Sequence, residues 1–345
     1  MNSTDFYFPK NKKKYFTKSC KIVSTASYFP DTIVTNTEII SKYQLPFNNN
    51  VIFKSIGVAK RHLADDSQDD SDLLYEAVHQ CLENYQLKPE KLTRIIVNKY
   101  LGDNLLPMTA SRLQGKLGSS VANHALDLDG GFSSFLIALD LASRYIATGD
   151  EYILIASGGV HNRLVSKTDP RIAFLFGDAS AALLLSSAVE PHILASYFFS
   201  NHQFYNLATV NGIEYIKNIP WDGNNAMFFD TYRFDNWKLA KDFYQSATRE
   251  ISQNLLEESG LSLQNIDLVL ATENNAPIRA LVLETLGVDE SKSISLLQNY
   301  GNTMSAMLPL LLDYGLKNGR IQSGMNIMLI SFGEGISGGG MIYKI

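Results

Sequence analysis

The side chains that could do chemistry in this sequence are few and scattered. Two cysteines, Cys20 and Cys81, are too few for a disulfide framework and lack metal-ligand spacing. The six histidines (His62, His79, His124, His161, His192 and His202) include no pair at metal-binding spacing, so each is expected to be structural and no metal is expected. The glycine-rich stretch from Gly335 to Gly340 could cradle a phosphate, but it lacks the Lys-Ser/Thr ending of a P-loop and no helix follows it. A tight turn between strands is the better account. Glu257 and Glu258 lie on a charged helix face and are expected to be solvated rather than catalytic. Asp178, in Phe176-Gly177-Asp178, is expected to hold a turn.

These residues belong to a chain that alternates strand-like and helix-like runs. Lys21-Ile22-Val23-Ser24 reads as a short strand, and Asn36-Thr37-Glu38 as the cap of a short helix. Asp69-Asp70-Ser71-Asp72 opens an amphipathic helix that runs toward Tyr85. Strands are expected at Thr93 to Asn98, Ala125 to Leu128 and Glu151 to Ala156, with helices from about Met108 to Leu117 and from Ser133 to Ala147. In the last of these Phe135, Leu136, Leu139, Ala142 and Ile146 recur at helical spacing. Beyond a polar, aromatic stretch around Asn201 to Asn236 the pattern returns. Trp237 to Ser259, Ile278 to Leu286 and Ser305 to Asn318 read as helices, and Asp267 to Leu270 and Asn326 to Ser331 as strands. Strand and helix in alternation mean an α/β fold with helices packed on sheets. Two halves of similar layout, each about 150 residues, suggest an internal duplication.

Composition bounds the function. The chain has 345 residues, 45% hydrophobic and 19% charged, with a net charge of -5, which suits an ordinary soluble globular protein. Thirty basic against thirty-five acidic residues give no sustained positive field, so nucleic acid is not an expected partner. No run reaches the roughly eighteen apolar residues of a membrane span, and the start has no apolar core of a secretory signal. The expected location is cytoplasmic, with no membrane association. Lys10, Lys12, Lys13, Lys14 and Lys18 make residues 1–19 a basic extension laid on the surface, toward solvent or toward an acidic carrier. The domain reading is this extension, an N-terminal half over 20–195 and a C-terminal half over 196–345.

Five motifs in order resemble the beta-ketoacyl-acyl-carrier-protein synthase III branch of the thiolase superfamily. Lys54-Ser55-Ile56-Gly57-Val58-Ala59-Lys60-Arg61-His62 is similar to its T-G-I-x-x-R segment, and Leu106-Pro107-Met108-Thr109-Ala110-Ser111-Arg112-Leu113-Gln114 to its L-P-S-T-A helix start. Phe176 to Ala182 resembles F-G-D-G-A-G-A, Tyr300 to Ala306 resembles H-G-N-T-S-A-A, and Phe332 to Ser337 resembles F-G-G-G-x-S/T. The resemblance implies a duplicated five-layer αβαβα thiolase fold, a dimer, and acyl groups carried as thioesters on acyl carrier protein or coenzyme A. It implies no cofactor. It also implies a cysteine nucleophile at a helix N-terminus, where the helix favours thiolate and backbone amides hold the oxyanion, with a histidine and an asparagine beside it.

Two of these three residues are replaced. The family's F-D-V-x-x-x-C-x-G-F covers Leu126 to Phe135 without gaps and sets Phe132 at the nucleophile position, where a phenyl ring cannot attack a thioester. Ile266 to Asn275 covers I-D-x-L-V-P-H-Q-A-N and sets Thr272 at the histidine position; a one-residue slip sets Glu273 there instead. Asn302 survives. Glu334 replaces the middle glycine of the terminal motif, and a carboxylate beside a developing oxyanion opposes catalysis unless it acts as a base. A slipped alignment could make Ser133 a nucleophile, although a serine in the first turn of a helix is more often a cap or packing residue. Leu106, Gly333 and Gly335 are the positions at which the resemblance implies substrate contact, Leu106 by reaching into the neighbouring subunit's tunnel. The adenine-binding tryptophan and arginine fall near Val51 and Ser55, so tight coenzyme A binding is not expected, while a carrier protein could still dock.

Two functions follow from these replacements. In the first, the chain is a degenerate subunit that pairs with an active ketosynthase, as a heterodimer or in a homodimer, and lacks the standard Cys-His-Asn chemistry. In the second, it is an acyltransferase, decarboxylase or condensing enzyme with a non-standard site, in which Asn302 and Thr272 bind the carbonyl and Glu334 or Glu273 is the base.

Overall fold

The strand order repeats itself in two sheets, and the helices between them complete the pattern. The computed structural model describes residues 8–10, 19–100, 102–104, 106–118, 122, 124–129, 133–165, 172–201, 237–333 and 337–345. The first half contains β1 (Ser19–Tyr28), a small pair of strands β2 (Thr32–Thr35) and β3 (Lys60–Leu63) around helices α1 (Asn36–Tyr43) and α2 (Asn49–Ile56), then α3 (Asp70–Tyr85), β4 (Arg94–Asn98), α4 (Thr109–Leu117), β5 (His124–Leu128), α5 (Ser134–Ala147), β6 (Tyr152–Gly159) and β7 (Ala179–Ala188). The second contains β8 (Ile193–Ser200), α6 (Trp237–Ser259), β9 (Leu268–Ala271), α7 (Ala276–Leu286), α8 (Leu297–Tyr300), α9 (Met307–Lys317), β10 (Asn326–Gly333) and β11 (Ser337–Lys344).

One sheet runs β1-β7-β6-β4-β5 and the other β8-β11-β10-β9. In both, the first strand is antiparallel to the second, the second antiparallel to the third, and the third parallel to the fourth. β8, β11, β10 and β9 thus repeat the arrangement of β1, β7, β6 and β4, as the duplication predicts. Residues 293–296, where a partner of β5 would fall, do not join the second sheet as a strand.

Side-chain alternation explains the layers. On β4, Ile96 faces inward while Ile95 and Val97 face outward, the two-residue period of a strand. The inward set, with Ile153, Ile155 and Leu183, packs on α5 (Phe135, Leu136, Leu139) and α9 (Leu308, Leu311, Leu312). The opposite sides of these helices meet Leu270, Ile327, Leu329 and Met341 of the second sheet. α3 and α4 cover the outer face of the first sheet, and α6 and α7 that of the second. The result is the five-layer αβαβα arrangement. α5 and α9 are apolar nearly all round because both flanks are sheets; each fully buried Leu or Phe there contributes about 1.5–3 kcal/mol.

The differences from expectation are local. The cap of α1 is Thr35, whose hydroxyl accepts from the Glu38 amide, one residue before the expected Asn36. β7 begins at Ala179, so the Phe176-Gly177-Asp178 turn leads directly into a strand that reads in sequence as an undifferentiated small and apolar run. β8 starts at Ile193 and belongs to the second sheet. Glu258 is not merely solvated: its Oε2 accepts from the Ser196 amide at 3.1 Å and braces α6 on β8. Of the basic extension, residues 8–10 and Ser19 are described, and Ser19 already opens β1; Phe8 stands edge-on to Phe199 with ring centroids 5.0 Å apart, and the Tyr197 hydroxyl donates to the Pro9 carbonyl at 2.9 Å. The aromatic stretch is described only up to Asn201 and from Trp237 onward.

Candidate functional site

The site is built where strand ends and helix starts meet in the middle layer. β9 ends at Ala271, and Thr272 continues the ladder by donating its amide to the Ile330 carbonyl at 2.9 Å. Its fully buried hydroxyl accepts from the Phe332 amide at 3.3 Å. Asn275 then caps α7, its side chain accepting from the Ile278 amide at 2.9 Å.

Asn302 lies between α8 and α9 and is fully buried. Its backbone amide donates to Leu175 O at 2.8 Å and its carbonyl accepts from the Gly177 amide at 3.0 Å, which joins the Phe-Gly-Asp and Tyr-Gly-Asn motifs into one unit. Gly301 is required there. Its φ of +71° is left-handed, and a Cβ would sit 2.7 Å from the Leu175 carbonyl oxygen. The Asn302 carboxamide donates from Nδ2 to the Asn274 carbonyl at 3.3 Å and accepts at Oδ1 from the Met304 amide at 2.8 Å. The structure thus brings Asn302 to the strand end that carries Thr272.

The start of α5 meets the same segment. The Ser134 hydroxyl donates to Asn98 Oδ1, and Asn98 Nδ2 donates to Ser157 Oγ at 3.2 Å. The Ser305 hydroxyl donates to the Asn98 carbonyl at 3.1 Å and accepts from the Gly158 amide at 3.1 Å. Ser133, 1% exposed, keeps a hydroxyl with no hydrogen-bond partner. Phe132, Glu334 and Gly335 lie outside the described residues; Gly333, the last residue of β10, pairs with Ser337 and is half-buried.

Glu273 turns the other way. Its Oε2 accepts from the Leu296 amide at 2.8 Å and its Oε1 faces Arg279 Nε at 3.4 Å, so it fastens the turn before α8. Burial raises its pKa, and hydrogen bonds from Ser295, Leu296 and Leu297 and the Arg279 charge oppose that rise. This carboxylate is engaged as a brace. Asp178 is a brace as well: Oδ1 accepts from the His161 and Asn162 amides at 2.7 and 2.9 Å, and Oδ2 from the Ala64 amide at 2.9 Å.

Neither cysteine is available as a nucleophile. Both are buried, and burial pushes each thiol up to about 12. Leu106 is 84% exposed, in the loop before α4, whose first amides donate to the Asp127 carboxylate at 3.0 and 2.7 Å. Val51, on α2, is 67% exposed. Among the described residues no cluster of His, Cys, Asp or Glu could hold a metal, and no helix is long and apolar enough to cross a membrane.

Sequence reasoning treated His161 as one structural histidine among six. It is 1% exposed, its ring faces the Thr303 backbone, and its Nε2 has no hydrogen-bond partner. Burial lowers its pKa to about 4, which keeps the imidazole neutral at neutral pH. Asn274, 2% exposed, likewise has an unpartnered Oδ1. The available signal was position: His161 follows β6, and Asn274 lies two residues past Thr272.

Comparison with known proteins agrees with this architecture. The family model of 3-oxoacyl-[acyl-carrier-protein] synthase III matches residues 126–202, and that of its C-terminal region matches 256–345. The beta-ketoacyl-[acyl-carrier-protein] synthase III of Methylococcus capsulatus is 27% identical over 94% of this chain and 98% of its own length. That of Staphylococcus aureus is 29% identical over 92% and 96%. The structure of 3-oxoacyl-[acyl-carrier-protein] synthase III from Aquifex aeolicus superposes with a TM-score of 0.83 at 23% identity, covering 95% of this chain and 100% of that one. Both halves of the chain are thus similar to the 3-oxoacyl-[acyl-carrier-protein] synthase III family, and the chain has the thiolase fold.

Proposed function

We propose that this chain handles acyl groups carried as thioesters, in fatty-acid or polyketide-type biosynthesis, as a non-condensing subunit that pairs with an active ketosynthase. The observation that carries this reading is the pair Phe132 and Thr272 at the nucleophile and histidine positions of a scaffold that retains Asn302. A phenyl ring cannot be acylated, and a threonine hydroxyl provides no neutral imidazole donor. The Thr272 hydroxyl is engaged by the Phe332 amide and Glu273 by the turn before α8, which supports a bracing role for both. Exposed Leu106 is the residue with which this chain shapes a partner's tunnel. The partners are acyl carrier protein or acyl-coenzyme A, and a second ketosynthase chain.

A second reading, an acyltransferase, decarboxylase or condensing enzyme with a non-standard site, is favoured by the unpartnered Ser133 hydroxyl at the start of α5. Attack by Ser133 Oγ on the thioester carbonyl would form an ester, with the carrier thiolate leaving and taking up the serine proton. Intact-protein mass spectrometry after incubation with acyl-coenzyme A and acyl carrier protein donors, with and without a ketosynthase partner, separates the two. The expected outcome is no acyl adduct on this chain and acylation of the partner alone. An adduct mapped to Ser133 would establish the second reading and remove the first.

A further inference from the structure

The described part of the N-terminal extension is seated on the second half of the molecule. The half-buried Phe8 ring packs on the outer core of the second sheet and meets the Phe199 ring edge-on, with centroids 5.0 Å apart at 86°. Beside it the Pro9 carbonyl accepts from the hydroxyl of Tyr197, a residue 2% exposed, so the bond also satisfies a buried polar group. Phe199 lies on β8, an edge strand of its sheet.

From Phe199 a row of direct contacts crosses the sheet. Phe199 pairs with Gly338 on β11, and Gly338 pairs with Phe332 on β10. A Cβ at position 338 would lie 2.9 Å from the Phe199 ring, so the ring occupies the space that a side chain would take. α6 covers the row from outside: Phe243 meets Phe199 with centroids 6.3 Å apart, and Tyr244 stands edge-on to Phe332 at 5.1 Å. The row ends at the site, where the Phe332 amide donates to the Thr272 hydroxyl at 3.3 Å and Gly333 closes β10. Interiors packed this closely pass a displacement on to the next neighbour, and edge strands with one side uncovered are where local opening begins.

We propose that Phe8 and Pro9 form a strap by which the start of the chain holds the site end of the second sheet in place. Phe8 pins the Phe199 ring over Gly338, and that packing fixes Phe332 and, through its amide, Thr272. Without the strap the outer side of Phe199 faces water and the end of β8 loosens first. The inference goes beyond the acyl-thioester reading and does not depend on it, since it concerns the order of Phe332 and Thr272 whether they brace, bind or react.

The test is hydrogen–deuterium exchange by mass spectrometry on the full chain and its variants, with no ligand added, so the outcome leaves the thioester reading untouched. In Phe8→Ala, amides over 196–201 and over 328–333 are expected to exchange about tenfold faster, while those over 94–98 and 152–157 in the first sheet stay within about twofold. Phe8→Tyr, which keeps the ring, is expected to retain full protection. Tyr197→Phe, which removes only the bond to Pro9, is expected to speed exchange over the same two segments about threefold. Faster exchange confined to 196–201 would end the reach of the strap at β8 and overturn the inference. Equal acceleration in both sheets would overturn it as well, by reducing Phe8 to a contributor to general stability, and so would unchanged exchange throughout. Should Phe8→Ala fail to fold, Tyr197→Phe decides on the same segments.

Discussion

The two central helices are counterparts that have come to do different things. α5 and α9 each carry an aspartate as their seventh residue and a cation four residues later: Asp140 with Arg144, and Asp313 with Lys317. Each aspartate crosses to the outer strand of the other half. Asp140 Oδ1 accepts from Ser196 Oγ on β8 at 3.2 Å, and Asp313 accepts from Thr25 and Ser27 on β1, the first at 2.7 Å. The halves are thus stitched together reciprocally, an arrangement an isolated half could not satisfy. The helix starts differ. Before α9, both polar ends of the Asn302 carboxamide and the Ser305 hydroxyl are bonded; before α5, the Ser133 hydroxyl is not. One start has its polar groups tied into neighbouring segments, and the other keeps a buried serine hydroxyl without a hydrogen-bond partner.

The sharpest way to break this symmetry is at the stitches. Asp313 is 2% exposed in its side chain against 15% for Asp140, and it binds two hydroxyls rather than one. Asp313→Ala is expected to cost about 3–5 kcal/mol in urea denaturation and Asp140→Ala about 1–2 kcal/mol. Equal costs would mean that the two stitches are equivalent after all.

The loops that lead into the site provide a pH-dependent test. Asp70 accepts from the Gly102 and Val160 amides at 3.0 and 2.9 Å, and burial, with Asp103 and Asp178 nearby, raises its pKa from 3.8 to about 7. The native state then holds a proton that the unfolded chain releases. Its contribution to stability is full below about pH 4 and is lost as pH rises through about 7, on the order of 4 kcal/mol in all. Asp70→Asn, neutral throughout, should flatten that slope between pH 4.5 and 7.5; an unchanged slope would assign the pH dependence elsewhere.

At the helix starts the contrast is smaller but direct. Asn302→Ala removes two buried hydrogen bonds and is expected to cost about 1–3 kcal/mol, whereas Ser133→Ala removes none and should stay within about 0.5 kcal/mol of neutral. A large loss for Ser133→Ala would reveal a structural bond at that hydroxyl. The smallest signal is chemical: with both thiols buried and raised to about 12, Cys20 and Cys81 should resist iodoacetamide at pH 8 until the chain is unfolded.

Much of this architecture was legible before any coordinates. Trp237–Ser259 matches its expected span because its apolar residues keep a helical period, and Asp69 was readable as the cap of α3 from its acidic neighbours. β7 and β8 were harder: Ala179–Ala188 is buried on both faces, so it lacks the alternation that marks a half-exposed strand. Glu258 was misread because a glutamate on a charged helix gives no hint that a distant strand's amide will meet it. His161 was invisible as a site residue for the same reason. Nothing in its neighbours reveals that Asp178, seventeen positions on, will hold its backbone and turn it toward Thr303.

The sequence by itself determined the alternating layers, the five motifs and the residue types at the three positions where the resemblance implies the catalytic groups: Phe132, Thr272 and Asn302. These are matters of residue type and local period, which a one-dimensional record carries in full. Only the tertiary structure decided which polar groups are used up and which remain open. Thr272 Oγ1 and Glu273 Oε2 are taken up by backbone amides from other segments, while the Ser133 hydroxyl keeps no hydrogen-bond partner. Hydrogen-bond pairing between distant segments depends on distances of about 3 Å that sequence spacing cannot encode.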